Sequence, residues 1–273
     1  MSTSVAPELP AGLLVAAEPQ PPAGLVHDVQ VLCQRGAQHA LGRGGIIAIL
    51  AQSVLFFAIF YCAYHRMLGE HGVRFGPYVT PTVVVQALMF IAIADATSLA
   101  ADVNSGFFRR LRTMPVAGLA VPLSRSITVA AQALVATVVI SVVAHLTGFR
   151  FSQGVLPALG YLLLSVLFVI ALTAATTFAA LTLRNQESLS AVLFLPYLPL
   201  LILSTGFVSA DLFPGWLQPA VRYSPVSAVI DGQRHLTSGS TAASTVAVAF
   251  GWCLAIVIVF GVLDVRAFQK VQR

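Results

Sequence analysis

The sequence predicts an all-α integral membrane protein with six transmembrane helices, an N-terminal interfacial helix and a re-entrant outer segment before the last span. Of its 273 residues, 58% are hydrophobic and 9% are charged, whereas soluble domains carry about 25% charged residues. The mean hydropathy is +0.88. A chain of this length cannot hide so much apolar surface from water in a single core, so it requires a lipid environment.

The chain before the first span divides into two parts. Residues 1–23 are rich in proline and have no basic stretch before their short apolar run. This composition predicts a disordered cytoplasmic tail and not a signal peptide. Residues 24–43 place Leu25, Val29 and Leu32 near one helical face, with polar residues elsewhere. Such spacing is typical of a helix at the membrane surface, and a short soluble helix before the first span is the alternative.

Six apolar runs follow, and residues 24–273 are therefore predicted to form one transmembrane domain. Each run has about the 20 residues that a helix needs to cross ~30 Å of hydrocarbon. A helix also satisfies its own backbone hydrogen bonds, which lipid cannot do. The predicted spans are about 46–64, 80–101, 126–147, 156–181, 189–208 and 244–263.

The basic residues predict the orientation of these spans. Six spans place both termini on one side, and ten of the 15 Lys and Arg residues fall on that side: Arg35, Arg43, Arg109, Arg110, Arg112, Arg125, Arg184, Arg266, Lys270 and Arg273. The outer loops contain the other five: Arg66, Arg74, Arg150, Arg222 and Arg234. Because positively charged loops remain in the cytoplasm, both termini are predicted to be cytoplasmic. The positive net charge is thereby explained without a nucleic-acid partner.

The outer segment 209–243 is predicted to be more than a connector. It is too long for a turn and too apolar for a fully solvated loop, and it contains several prolines and a tryptophan: Pro214, Trp216, Pro219 and Pro225. Such a segment can re-enter the outer membrane zone where protein covers its backbone. The tryptophan suits the membrane interface.

The sequence contains no motif for catalysis or nucleotide binding. Gly42-Arg43-Gly44-Gly45 lacks the lysine of a phosphate-binding loop. Metalloprotease and serine-hydrolase signatures are also missing from the sequence. We therefore predict a non-enzymatic chain that itself binds no cofactor or metal.

Asp95 is the only carboxylate within the predicted spans. Ionisable groups inside a membrane are expensive and often functional. However, Asp95 lies toward the predicted inner end of its span, where water or an arginine could reach it. Both a helix-pairing role and a direct role in transport are open from the sequence.

Two segments carry a resemblance to a known family. The predicted inner loop 102–125 contains GFFRRLRTMP at 106–115, and the outer segment contains LFPGWLQP at 212–219, followed by Ser224-Pro225 and by RHL at 234–236. Each motif is moderately specific, and the two occur in the expected order and loops. Together they resemble permeases of type-2 ABC exporters, most closely the daunorubicin-resistance type of actinobacteria, from about residue 25 onward.

The resemblance implies that the inner loop is a coupling helix that docks in a cleft of an ATPase. The residues that would make this contact are Phe107, Phe108, Arg109, Arg110, Leu111 and Arg112. The apolar members would anchor the helix and the arginines would flank it. Alternatively, the arginines only enforce topology or bind anionic lipid.

The resemblance also implies the assembly and the activity. Two copies of a separate ATPase, which bind ATP and Mg, would power a pair of permeases, identical or related, in the inner (plasma) membrane of a bacterium. The substrate would be a hydrophobic compound such as a polyketide-type drug or a complex envelope lipid. The rival functions are an ion-coupled secondary transporter that uses Asp95 and a membrane-embedded enzyme, for which the sequence offers no catalytic constellation.

Overall fold

The computed structural model describes residues 25–42, 45–70, 75–106, 120–183, 186–239 and 242–272. These residues form nine α-helices and a short 3-10 turn at Ala210–Leu212, with no strand in the described part. The helices are α1 Leu25–Gly42, α2 Gly45–Glu70, α3 Phe75–Asn104, α4 Ala120–His145, α5 Val155–Thr182, α6 Gln186–Ile202, α7 Gln218–Tyr223, α8 Pro225–Ser238 and α9 Ser244–Gln272.

The predicted all-helical membrane fold is confirmed. Five helices (α2, α3, α4, α5 and α9) are long and apolar enough to cross a membrane, and α6 is a shorter apolar helix. Large apolar side chains point outward from the bundle, including Leu195, Leu156 and Val142, which are 79%, 80% and 65% exposed. Such a surface suits lipid or a protein partner and not water.

The span boundaries differ from the predicted ones at two places. The predicted span 189–208 ends as a helix at Ile202, after which the chain turns, and Pro196 and Pro199 lie within the helix. The last helix continues beyond the predicted end at 263, so its membrane-compatible part reaches Ala267. The predicted tail at 1–23 lies outside the described residues, and α1 is a helix whose position at the membrane surface remains a prediction.

Helix α3 is the centre of the bundle. It packs against α2, α4, α5, α6 and α8, and 72% of its membrane-compatible stretch is buried, compared with 11% for α9. Its core face includes Val83, Leu88 and Ile91, which are completely buried. The helix ends at Asn104, and Gly106, two residues later, adopts a positive φ of 71°. Groups on α3 are therefore placed to connect several other helices.

The outer segment forms an ordered structure that packs on the bundle. Ser224 precedes Pro225, the first residue of α8, and Gly239 ends α8 in the left-handed conformation with its N–H donating to His235 O at 2.8 Å. Helix α8 contacts α3, α5 and α9. Most of α8 is buried: the successive residues Val226, Ser227, Ala228, Val229 and Ile230, and then Gly232, Gln233, Arg234 and Thr237.

Candidate functional site

Two polar clusters lie at opposite ends of α3. Following the predicted topology, we call the end of the bundle from which residues 107–119 extend the inner end. The inner ion-pair cluster consists of Arg35, Asp95, Asp102 and Arg125. The second cluster is centred on Arg234 and lies near the start of α3, at the outer end.

The inner ion-pair cluster joins three helices. Asp95 and Asp102 lie seven residues apart on α3, so both carboxylates face the same side. Arg125 of α4 lies between them, with its Nη2 at 2.9 Å from Asp95 Oδ1 and its Nη1 at 3.6 Å from Asp102 Oδ2. Arg35 of α1 reaches Asp102 Oδ1 at 3.4 Å. One connected set of charges therefore links α1, α3 and α4.

Asp95 is next to an arginine, which is one of the two environments, water or an arginine, that the sequence left open for it. Arg125 Nη2 also donates to the backbone oxygen of Asp95 at 2.6 Å. Both side chains are largely buried, with exposures of 15% for Asp95 and 17% for Arg125. Buried charges are normally paired in this way because an isolated charge is costly. The geometry supports helix pairing, although the role of Asp95 in transport remains a prediction.

The prediction that Asp95 is the only carboxylate inside a span is wrong. The membrane-compatible stretch of α3 extends to Asn104 and includes Asp102, and that of α9 extends to Ala267 and includes Asp264. The difference arises because both helices continue beyond the apolar runs that defined the predicted spans. Asp264 Oδ1 is buried and has no hydrogen-bond partner among the described residues.

In the sequence, the predicted coupling residues lie between Asp102 and Arg125, two members of the inner ion-pair cluster. Phe107, Phe108, Arg109, Arg110, Leu111 and Arg112 are outside the described residues. The helices on either side are described: α3 ends at Asn104 and α4 begins at Ala120. Asp102 and Arg125 lie close to these two ends, so their ion pair links the helices that enter and leave the predicted coupling loop.

The Arg234 cluster is the main polar contact of α8 that the sequence did not reveal. Arg234 was counted among the outer-loop arginines, yet its side chain is 7% exposed. The guanidinium donates to Tyr78 O from Nε at 3.2 Å and from Nη2 at 3.1 Å. It also donates to Thr205 O at 2.7 Å, Gly206 O at 2.8 Å and Asp231 Oδ1 at 3.2 Å. Its five N–H groups all have acceptors.

Neighbouring groups tighten the Arg234 cluster. The guanidinium carbon lies 4.0 Å from the centre of the Tyr78 ring, which is a cation–π contact. Thr82 Oγ1 donates to Gly206 O at 2.9 Å, and Thr205 N donates to Ser227 Oγ at 3.1 Å. A side chain at Gly206 would not fit, because a Cβ there would lie 2.7 Å from Thr82 Cγ2.

The four predicted residues of the outer segment lie at its turns. Pro214 O accepts from Leu217 N at 2.8 Å, Pro219 is in the first turn of α7, and Pro225 begins α8. Trp216 is 80% exposed, as expected of a side chain at an interface. These positions are compatible with the predicted re-entrant segment, but they reveal no chemistry of their own.

Sequence comparisons agree with the motifs. Residues 27–237 match the family model described as ABC-2 type transporter. The chain is 29% identical over 230 residues to the daunorubicin resistance ABC transporter permease protein DrrB1 of Streptomyces coeruleorubidus, covering 82% of this chain and 80% of that protein.

Two mycobacterial proteins are also similar. Identity is 30% over 220 residues to the doxorubicin resistance ABC transporter permease protein DrrB of Mycobacterium tuberculosis (strain ATCC 25618 / H37Rv), covering 77% of this chain and 76% of that protein. Identity is 31% over 175 residues to the probable doxorubicin resistance ABC transporter permease protein DrrC of the same strain, covering 63% of each.

Proposed function

Since this chain belongs to the ABC-2 type transporter family and is a transmembrane permease subunit of an ABC exporter, we propose that it moves a hydrophobic compound outward with energy from a separate ATPase. The resemblance to daunorubicin-resistance permeases that the sequence predicted is thereby confirmed. The names of the relatives support a polyketide-type drug as substrate, and a complex envelope lipid is the other candidate. The ion-coupled alternative receives no support from these relatives.

The family match carries this proposal because it includes the loop that would contact the ATPase. Residues 27–237 contain nearly all of α1, the inner ion-pair cluster and the entire predicted loop 102–125. We propose that two ATPase subunits, which bind ATP and Mg, dock on this loop in a pair of permeases. The second permease is identical or related. The cluster supports this proposal because it links the two helices that flank the loop to each other and to α1.

The first test removes two apolar anchor residues of the predicted coupling loop, Phe108 and Leu111. Small central clusters dominate most interfaces, with single truncations at the anchors costing about 2 kcal/mol or more of binding free energy. We expect the double substitution Phe108→Ala and Leu111→Ala to leave an inserted permease that no longer retains its ATPase or exports substrate. The measurements are co-purification of the ATPase and efflux from cells.

A matched control truncates two leucines of another surface. Leu156 and Leu159 are exposed at the start of α5, so changing both to alanine should leave ATPase retention unchanged. Removal of Arg109, Arg110 and Arg112 should give a milder, salt-sensitive defect, since exposed charges are screened. Normal efflux and normal co-purification in the Phe108 and Leu111 double variant would exclude the loop from coupling.

The second test concerns the proposed location in the inner membrane with both termini in the cytoplasm. In a variant lacking native cysteines, Thr3→Cys and Val271→Cys should resist an impermeant thiol reagent in intact cells, whereas Gly72→Cys should react. The expectation follows from the distribution of basic residues. Labelling of both termini from outside would overturn this orientation.

A further inference from the structure

Helix α6 is short for a helix that crosses the membrane by itself. Its 17 residues span about 25 Å at 1.5 Å per residue, compared with ~30 Å of hydrocarbon. The chain continues in turns after Ile202. Backbone groups at such a depth cannot obtain hydrogen bonds from lipid and must obtain them from protein. The groups that satisfy this turn are therefore necessary for the fifth span to end where it does.

Those groups come from α3 and α8. The carbonyl oxygens of Thr205 and Gly206 accept from Arg234, and the Gly206 oxygen also accepts from Thr82. The N–H of Thr205 donates to Ser227 Oγ. The turn after α6 consequently depends on side chains from two other helices for its backbone hydrogen bonds.

Among the described residues, Arg234 alone connects α8, the turn after α6 and the first turn of α3. It lies on α8, donates to the turn after α6, and donates through two nitrogens to Tyr78 O in the first turn of α3. Only arginine has a planar group with five donors that can reach carbonyl oxygens in several directions. A lysine has three donors on a single atom and could satisfy only part of this set.

We propose that Arg234 is a positioning residue for the outward step of transport: it holds the outer ends of the second and fifth spans and the re-entrant helix α8 together as one unit. Substrate then leaves by movement of this unit as a whole. The inference rests on the export function proposed above. It requires that loss of Arg234 lowers efflux while the ATPase still binds the inner end of the permease and still hydrolyses ATP.

The first experiment measures whether the unit separates. Thr82 is completely buried against Gly206, and a thiol at this position keeps a weak donor toward Gly206 O. Thr82→Cys in a background without Cys33, Cys62 and Cys253 is therefore the reference in which labelling by an impermeant maleimide in cells should be slow. We expect labelling to increase at least about tenfold with Arg234→Gln, because loss of a single charge-assisted hydrogen bond already changes an equilibrium by that factor and Arg234 makes five hydrogen bonds. Arg234→Lys should give an intermediate rate and partial efflux.

Arg222 provides the matched control on the same segment. It pairs with Asp211, but the two side chains are 56% and 72% exposed. Arg222→Gln should therefore change neither labelling nor efflux. In Arg234→Gln we expect efflux to fall about tenfold while the co-purified ATPase and its rate of ATP hydrolysis remain at the wild-type level.

A second variant covers the case in which Arg234→Gln does not reach the membrane. Gly206→Ala retains Arg234 but must push the turn away from Thr82, whereas Gly215→Ala meets no atom within 4 Å and serves as its control. Normal efflux in Arg234→Gln, or in Gly206→Ala if the former is not inserted, would overturn the inference. Parallel loss of efflux and ATPase retention would also overturn it, because the residue would then be needed for assembly. Failure of the proposed function would instead appear as absence of ATP-dependent efflux in the wild-type complex.

Discussion

The two ends of α3 are held by arginines that use different partners. At the inner end, Arg125 pairs with two carboxylates, and its Nε has no hydrogen-bond partner among the described residues. At the outer end, Arg234 donates all five N–H groups, four of them to backbone oxygens. Arg125 is 17% exposed and Arg234 is 7% exposed.

This difference indicates what each end can do. Ion pairs between side chains can exchange partners when helices shift, and Arg125 already divides its contacts between Asp95 and Asp102. Backbone oxygens are fixed by the local fold, so a guanidinium that satisfies several of them holds one arrangement. An adaptable inner end suits the place where ATPase movement would enter, and a rigid outer end suits transmission of that movement to the exit.

The largest expected effect comes from removal of Arg125. Arg125→Gln would leave Asp95 largely buried without a cation, and breaking a buried pair from one side costs about 3 kcal/mol or more. We therefore expect the apparent melting temperature of the detergent-purified permease to fall by roughly 6 °C or more. A thermal shift measured by size-exclusion chromatography would show it.

The double variant of Arg125→Gln with Asp95→Asn is the control for this prediction. Replacing both partners removes the uncompensated charge, so the melting temperature should recover in part. Recovery is expected to be incomplete because Asp102 also loses its contact with Arg125. If the double variant is less stable than the wild type by the sum of the two single effects, the pair is not coupled and the interpretation of the inner end is wrong.

A smaller effect is expected from Asp95→Asn alone. The asparagine oxygen can still accept from Arg125, and the 2.6 Å bond from Arg125 to the backbone oxygen of residue 95 does not depend on the carboxylate. We expect a loss of about 1 kcal/mol in unfolding free energy, substantial remaining efflux and normal ATP hydrolysis. Complete loss of efflux with normal assembly and ATP hydrolysis would instead indicate a direct role of Asp95 in transport.

The sequence predicted the fold better than it predicted these contacts, for a physical reason. Long apolar runs identify spans locally, because a membrane imposes the same length and composition on each. Four of the five hydrogen bonds of Arg234 go to backbone oxygens of Tyr78, Thr205 and Gly206, which are far from it in the chain, and only Asp231 offers a side-chain acceptor nearby. RHL at 234–236 indicated the family, but no pattern of residue types marks these backbone acceptors or the burial of Arg234.

The sequence did contain signals for helix α8 and for the surroundings of Asp95. Helix α8 is flanked by Ser224-Pro225 and Gly239, which are typical start and stop signals of a helix. Asp95 was predicted to lie where water or an arginine could reach it, and Arg125 is its neighbour. Its identity followed from the packing of α3 against α4, which the sequence did not specify.

The smallest expected effect concerns Arg35, at the exposed edge of the inner ion-pair cluster. Its side chain is 43% exposed and lies 3.4 Å from Asp102, so screening should limit the contribution of the pair to less than about 1 kcal/mol. Arg35→Gln should therefore lower the melting temperature only slightly, and by less at high salt.

Arg222→Gln is the matched comparison, because it also removes one arginine from an exposed pair with aspartate, but at the outer end. Both variants should be equally mild in melting temperature. Only Arg35→Gln should also weaken ATPase co-purification, because Asp102 connects Arg35 to Arg125 and to the helix that leads into the predicted coupling loop. A loss of stability in Arg35→Gln as large as that in Arg125→Gln would mean that the cluster acts as one fixed unit. The inner end would then be no more adaptable than the outer end, and the contrast between Arg125 and Arg234 would not explain how movement enters and leaves the bundle.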